Sequence, residues 1–307
     1  MDLSQPVDAK ADNGTPVAKH KQTDAKAILA KIDQLSEIPT LPAILLEVSR
    51  LLQDPDATSQ QLAKLIEKDQ AITVKILRLV NSAFYGSQSR ISDVNSAVVL
   101  MGFNTVRNAI ISISVIKAFA NIKDMEQFRV EDFWRHAIAV AITSRHIALK
   151  FDRRAADESF VAGLLHDIGK VILSQWFRDL FVDIWKLERE TGIPFIQAEN
   201  ALSPLNHAQI GSHLARKWKL PRDFAEAIRW HHSPQAFKAA TPVPAIVALS
   251  DAIVNRDRVS IDVATKGMFE GVNNDLAYAL EAHARTVDEW HPNLEDSIEE
   301  AVGVFLV

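Results

Sequence analysis

The chain has 307 residues, 48% of them hydrophobic, and a formal net charge of −5. That is length enough for a substantial core, and no basic field is available for nucleic acid or an anionic membrane. The absence of cysteine excludes disulfides, thiolate catalysis and cysteine-ligated zinc together. The start is acidic and polar without a signal-peptide core, and no apolar run reaches about 18 residues, so a soluble cytoplasmic protein is expected.

Residues 1–24 are rich in Gln, Asp, Lys, Asn, Gly and Pro and have little to bury, which predicts a disordered tail. Helical periodicity takes over at Ala25. Positions 41, 44, 45, 48, 51 and 52 form one apolar stripe, a helix over Leu41 to Leu52. Thr58 or Ser59 caps a helix over 60–68, and another covers 71–80. Asn81-Ser82, followed by Phe84-Tyr85 and Gly86, reads as a helix stop with packing aromatics, or as a contact for a ligand or partner at a cleft rim. Helices over 93–101 and 105–119 are separated by Gly102, with Asn104 as a cap.

In the second half a helix over 132–150 carries His136, and one over 158–177 carries His166, Asp167 and Lys170. His207 lies on a helix over 204–218, Pro221 starts a helix ending at His231-His232, and Asp251 lies on a helix over 242–254. Closing helices are expected over 275–285 and 294–305. The fold class is all-α. A junction near 121–130 divides an N-terminal helical part, 25–125, from a site-bearing part, 126–258, with closing helices in 259–307.

The donors are the chain's strongest functional signal. His136, His166, Asp167, His207, His231, His232 and Asp251 fall within 136–251 beside apolar helix positions, where unpaired imidazoles or carboxylates would be costly. Such groups are first-row metal ligands. The mixture suits divalent Mn, Fe, Ni, Co or Zn without choosing among them. His136, His166, Asp167 and Asp251 can close one site, and Asp167 can bridge to a second ion held by His207, His231 and His232. Two ions about 3.5–4 Å apart would activate water and stabilise phosphate oxygens. Asp132, on the helical face of His136, is a ligand, an orienting acceptor or a solvated first-turn acid. Lys170 either reaches a substrate phosphate or pairs with Asp167; if the site turns over, Asp167 and Lys170 are its candidate catalytic residues. His20, His146, His213, His283 and His291 are assigned no ligand role; His146, for example, sits about 80° around its helix from His136.

The order His136, His166-Asp167, Asp251 resembles the metal quartet of the HD superfamily, mostly metal-dependent phosphohydrolases. His207 in His-Ala-Gln-Ile-Gly211, Trp218-Lys-Leu-Pro221 and Ile228-Arg-Trp-His-His232 are similar to the HD-GYP branch, which hydrolyses cyclic di-GMP. After His232 this chain reads Ser-Pro-Gln-Ala-Phe-Lys, without a Gly-Tyr-Pro motif. Ile38-Pro-Thr-Leu-Pro42, Leu62 to Ala71, Lys75 to Gly86, Ala97-Val-Val-Leu-Met-Gly102 and Phe133-Trp-Arg-His136 resemble the HDOD family, and the likeness covers roughly 30–255. It implies a bacterial signalling or regulatory module whose metal-bound HD-type site, with one or two ions, serves as scaffold or sensor for protein partners acting in trans. A nucleotide is a further candidate ligand, with no nucleic acid or membrane. The alternative it leaves is a metal-dependent phosphohydrolase acting on a nucleotide or cyclic dinucleotide.

Overall fold

A computed structural model describes residues 24–35, 38–39, 43–51, 54, 56–82, 90–151, 155–233, 241–255, 268 and 274–306. Residues 1–23 of the tail expected over 1–24, the run Phe84-Tyr85-Gly86 and Pro234 lie outside the described residues. The fold is all-α. Among the described residues the single β-type pairing is an isolated bridge between Met125 and Phe128.

The first half comprises α1 (Ala25–Gln34), α2 (Ala43–Leu51), α3 (Ser59–Ile66), α4 (Gln70–Val80), α5 (Val94–Met101) and α6 (Phe103–Ala118). Side-chain oxygens of Asp24, Thr58, Asp69 and Asp93 accept first-turn amides of α1, α3, α4 and α5, satisfying N–H groups that a helix start leaves open. Thr58, not Ser59, is the α3 cap, and with Gln61 it forms a capping box. Gly102, at φ 85, ends α5 and starts α6 in one residue, so Asn104 lies inside α6 and does not cap it. Asn81 brackets the chain: its side-chain amide donates to Leu77 O at 2.7 Å and Ile91 O at 2.8 Å and accepts from Ile91 N at 2.7 Å. Its role is therefore the structural one.

The second half runs through α7 (Val130–Phe151), α8 (Ala156–Leu165), α9 (Ile168–Trp176), α10 (Arg178–Thr191), α11 (Phe195–Leu202), α12 (His207–Lys217), α13 (Arg222–Trp230) and α14 (Val243–Val254). Beyond it come α15 (Asn274–Ala284), α16 (Val287–Trp290), a 3-10 turn (His291–Leu294) and α17 (Glu295–Leu306). The single helix expected over 158–177 is two: the chain leaves α-helical geometry at Asp167, with φ −98 and ψ 7. Two helices, α10 and α11, fill a stretch given no helix in the sequence reading. In α10, Leu180, Phe181 and Ile184 are buried, and Gly192 closes it at φ 73.

Helix α8 is the centre of the fold. Its residues from Ser159 to Leu165 are all buried, and α6, α7, α13 and α14 pack around it. The core is continuous from Ile28 to Phe305. It includes Met125, Phe128, Phe133 and Trp134 at the expected junction, and α17 returns to pack on α4 and α7. A smaller apolar cluster, with Ile147, Leu249 and Leu280, joins α7, α14 and α15.

Candidate metal centre

Five segments deliver the seven donors to one place. His136 comes from α7 and Asp251 from α14, while His166 ends α8 and Asp167 occupies the break before α9. His207 is the first residue of α12, whose entry is fixed by Asn206 and Gln209 in a capping box. His231 and His232 follow α13. One ligand atom each from Asp167, His207, His231 and His232 lie within 4.8 Å of one another, as do those of His136, His166 and Asp167. Asp251 Oδ1 stands 3.1 Å from His136 Nε2 and 3.6 Å from His166 Nε2. Asp167 is common to both groups: its Oδ1 is 3.1 Å from His207 Nε2 and its Oδ2 is 3.3 Å from His166 Nε2.

Asp132 is not part of this arrangement. Its side chain is 64% exposed and lies 3.7 Å from Arg129. Sharing a helical face with His136 does not carry a first-turn side chain into the core.

The imidazoles are oriented from behind. His166 Nδ1 lies 2.7 Å from Gly163 O, and His231 Nδ1 lies 2.7 Å from Ile228 O. His207 Nδ1 lies 2.5 Å from Glu199 Oε2, while Glu199 Oε1 accepts the His207 backbone N–H at 2.9 Å. Carbonyl and ionised carboxylate oxygens only accept, so each Nδ1 carries the hydrogen and each Nε2 faces the cluster. His207 Nε2 then sits 3.3 Å from His231 Nε2 and 3.0 Å from His232 Nε2. With both Nδ1–H groups committed, the Nε2 atoms of His207 and His231 meet as two acceptors unless a proton or a cation lies among them. His166 Nε2 and Asp167 Oδ1 are buried and make no hydrogen bond. A transition metal fits this donor set.

Glu199 is the site residue that sequence reasoning missed. It is fully buried and eight residues from His207, across the α11–α12 connection, where no fixed spacing announces it. The one signal was an acid set between Ala198 and Asn200 on an apolar helix. Lys170 takes the pairing role foreseen for it, with Nζ 2.6 Å from Asp167 Oδ2, and it lies 5.5 Å from the Phe195 ring.

The electrostatics favour positive charge here. Burial works against ionising Asp167, yet His166 and Lys170 hold its carboxyl well below the usual range. Asp251 is likewise held down, against burial, by His136 and His166. Burial opposes a charged His166 too, but Asp167 and Asp251 raise it to about 10. Lys170 is raised by the same two carboxylates against the same burial. Burial pushes His231 down to about 4, and burial with the neighbouring His231 lowers His232. Two ionised carboxylates thus stand among histidines, two of which stay neutral.

Gly169 lets α9 lie directly on α12. A Cβ there would come 2.0 Å from His207 O, a backbone atom in a turn that presents a donor. Of the remaining histidines, His213 Nε2 lies 2.8 Å from Asp33 Oδ1 at the surface.

An all-α protein with seven imidazole and carboxylate donors, one of them an aspartate shared between two groups, is the class this architecture defines. Residues 38–234 match the HDOD domain, and the chain belongs to the HDOD family. An HDOD domain protein of unknown function from Geobacter sulfurreducens superposes with a TM-score of 0.71 at 25% identity, covering 92% of this chain and 100% of that one. A candidate phosphohydrolase from Shewanella amazonensis gives 0.69 at 24% identity, covering 91% and 98%. A candidate signal transduction protein from Marinobacter aquaeolei gives 0.64 at 22%, covering 96% and 67%. In sequence, an uncharacterized protein of Treponema pallidum is 28% identical over 236 residues, 76% of this chain. The chain spans 45% of that relative's length. Among the described residues no helix is long and apolar enough to cross a membrane.

Proposed function

We propose that this chain is a cytoplasmic regulatory HDOD protein that holds one or two divalent transition-metal ions, Fe, Mn, Ni or Zn, in its buried His/Asp centre. His136, His166, Asp167 and Asp251 hold the first ion; Asp167, His207, His231 and His232 hold the second. The observation that carries this reading is the 3.3 Å approach of His207 Nε2 to His231 Nε2, with both Nδ1–H groups already committed and an ionised carboxylate alongside. A bound ion of this kind polarises water and neutralises phosphate oxygens.

The residues favour a scaffold or sensor of protein partners over a hydrolase. His166, Asp167, His207 and His231 are all buried, so the open side of the centre is formed by His136 and Asp251, whose side chains are 24% and 16% exposed, together with His232. Lys170 is engaged with Asp167. The run after His232 has no Gly-Tyr-Pro segment, and in-line attack demands accurate placement of the scissile phosphate. The second reading, a phosphohydrolase with Asp167 and Lys170 at work, draws on the complete donor set.

Elemental analysis of protein expressed in metal-supplemented medium tests the centre. One or two ions per chain, lost in Asp167→Ala, are expected; less than about 0.2 per chain, unchanged by that variant, rejects it. Phosphodiesterase assays with Mn or Fe separate the two readings. Cyclic di-GMP turnover above ~0.01 per second, abolished by Asp167→Ala, establishes the hydrolase, since enzymes typically reach about 1 per second or more.

A further inference from the structure

A second set of imidazoles lies away from the metal centre. His146 on α7 and His283 at the end of α15 stack on Trp290 of α16, with centroids 4.8 and 4.5 Å away and ring planes within 12°. The two imidazoles are 5.9 Å apart and 21° from parallel. Trp290 Nε1 donates to His283 O at 3.2 Å, which fixes the indole. Both His146 Nε2 and His283 Nε2 are buried without a hydrogen-bond partner. Buried polar atoms in folded proteins are nearly always satisfied, so two neighbouring exceptions require a cause.

Beside these rings opens a cavity of 640 Å³, walled among others by His146, Lys150, Phe151, His283, Trp290 and Asn293. Small-molecule sites typically span roughly 300–1,000 Å³. Lys150 is the one ionised side chain among the described residues of its wall, and none of those described residues is a carboxylate. Burial first, and Lys150 among the neighbouring groups, push both imidazoles toward the neutral form, His146 down to about 4. The cavity therefore combines a cation, two neutral imidazoles and an amide with aromatic walls. A metal ion would meet Lys150 with nothing to offset the repulsion, whereas an anion gains from it.

We propose that this cavity binds a small anion bearing a planar ring, of the nucleoside monophosphate class, with the anionic group at Lys150 and the ring among Phe151 and Trp290. The site stands apart from the metal centre. His146 is ten residues beyond His136 on α7, about 15 Å along the helix axis.

Calorimetric titration of the full-length, as-purified protein with AMP, GMP, adenosine and inorganic phosphate tests this. At least one nucleotide is expected to bind, with adenosine and phosphate about tenfold weaker or worse. Lys150→Ala, at an exposed position, should weaken nucleotide binding about tenfold while leaving the circular dichroism unchanged. Asp167→Ala should leave the affinity within about twofold, because the metal centre takes no part. The proposal is overturned by any of four results: neither nucleotide binds at about 1 mM; phosphate alone binds as tightly as the nucleotide; Lys150→Ala has no effect; or an Asp167→Ala protein that keeps the wild-type circular dichroism loses binding, which assigns the nucleotide to the metal centre.

Discussion

Replacing Glu199 by glutamine keeps size and shape but reverses half of what the side chain offers. Both carboxylate oxygens accept from one residue, Oε1 from the His207 backbone N–H at 2.9 Å and Oε2 from its Nδ1 at 2.5 Å. A glutamine amide has one acceptor and one donor end. In either orientation its NH2 confronts a group that now donates. If it faces the backbone N–H, that buried amide loses its acceptor. If it faces Nδ1, the ring must move its hydrogen to Nε2, where the second ion would sit. Loss of such an orienting carboxylate typically weakens metal binding about 10–100-fold, or about 1.4–2.7 kcal/mol. Competition titration with Zn or Ni, with metal content per chain, reads this directly, and circular dichroism confirms that the variant folds. The ion at His136, His166 and Asp251 should be retained. Affinity of the second site within about twofold of wild type in a folded Glu199→Gln protein refutes the argument.

Three further outcomes follow from the same geometry. Asp167→Ala should lower the thermal midpoint of as-purified protein more than His207→Ala, because Asp167 alone belongs to both donor groups; the reverse order by calorimetry rejects the bridging role. Gly169→Ala should cost about 1–3 kcal/mol or more, since a new methyl 2.0 Å from His207 O meets backbone that cannot rotate away; a midpoint drop under ~2 °C contradicts that contact. Stability should also fall as pH drops from 6.5 toward 4. The folded pKa of His146 lies below its ordinary 6.5, at about 4, and that of His283 is lowered too, so across this window the unfolded chain binds more protons. His146→Gln should flatten the profile there relative to wild type, and an unchanged slope in thermal melts at pH 7 and 5 removes His146 from the account.

Periodic features were readable in the sequence, and features made by distant segments were not. The apolar stripes located most helices, and Thr58 or Ser59 correctly marked the start of α3. The break at His166-Asp167 was hidden because Leu164, Leu165, Ile168, Val171 and Ile172 are all buried: a helix enclosed on every side shows no polar face whose phase could betray a kink. Helix α10 was legible in principle from Leu180, Phe181, Ile184 and the Gly192 stop. The seven donors could be named because imidazoles and carboxylates among apolar residues are conspicuous. Their supporting groups could not: Glu199 meets His207 only once α11 and α12 have docked, and the carbonyls of Gly163 and Ile228 become partners only where their helices end. Asp132 failed for the opposite reason. Helical periodicity fixes an angle around an axis, not a depth, and the first turn of α7 emerges into solvent.

The break at Asp167 and the end of α13 solve one problem by the same local device. A helix C-terminus leaves its last carbonyls without intrahelical partners. In both places a histidine at the C-cap turns Nδ1 back onto the carbonyl three residues earlier, Gly163 O for His166 and Ile228 O for His231. That bond satisfies the orphaned carbonyl, sets the tautomer and points Nε2 outward along the chain. The following residue, Asp167 or His232, then adds a second donor outside the regular helix. Mid-helix histidines lack this anchor because the carbonyls beneath them are already engaged. Folding itself therefore aims the donors before any ion arrives, and α8, enclosed by α6, α7, α13 and α14, leaves them little freedom to reorganise. An ion entering such a centre would meet two carboxylates already ionised, so its occupancy would couple directly to the packing of five segments. That coupling is what a sensor or scaffold requires.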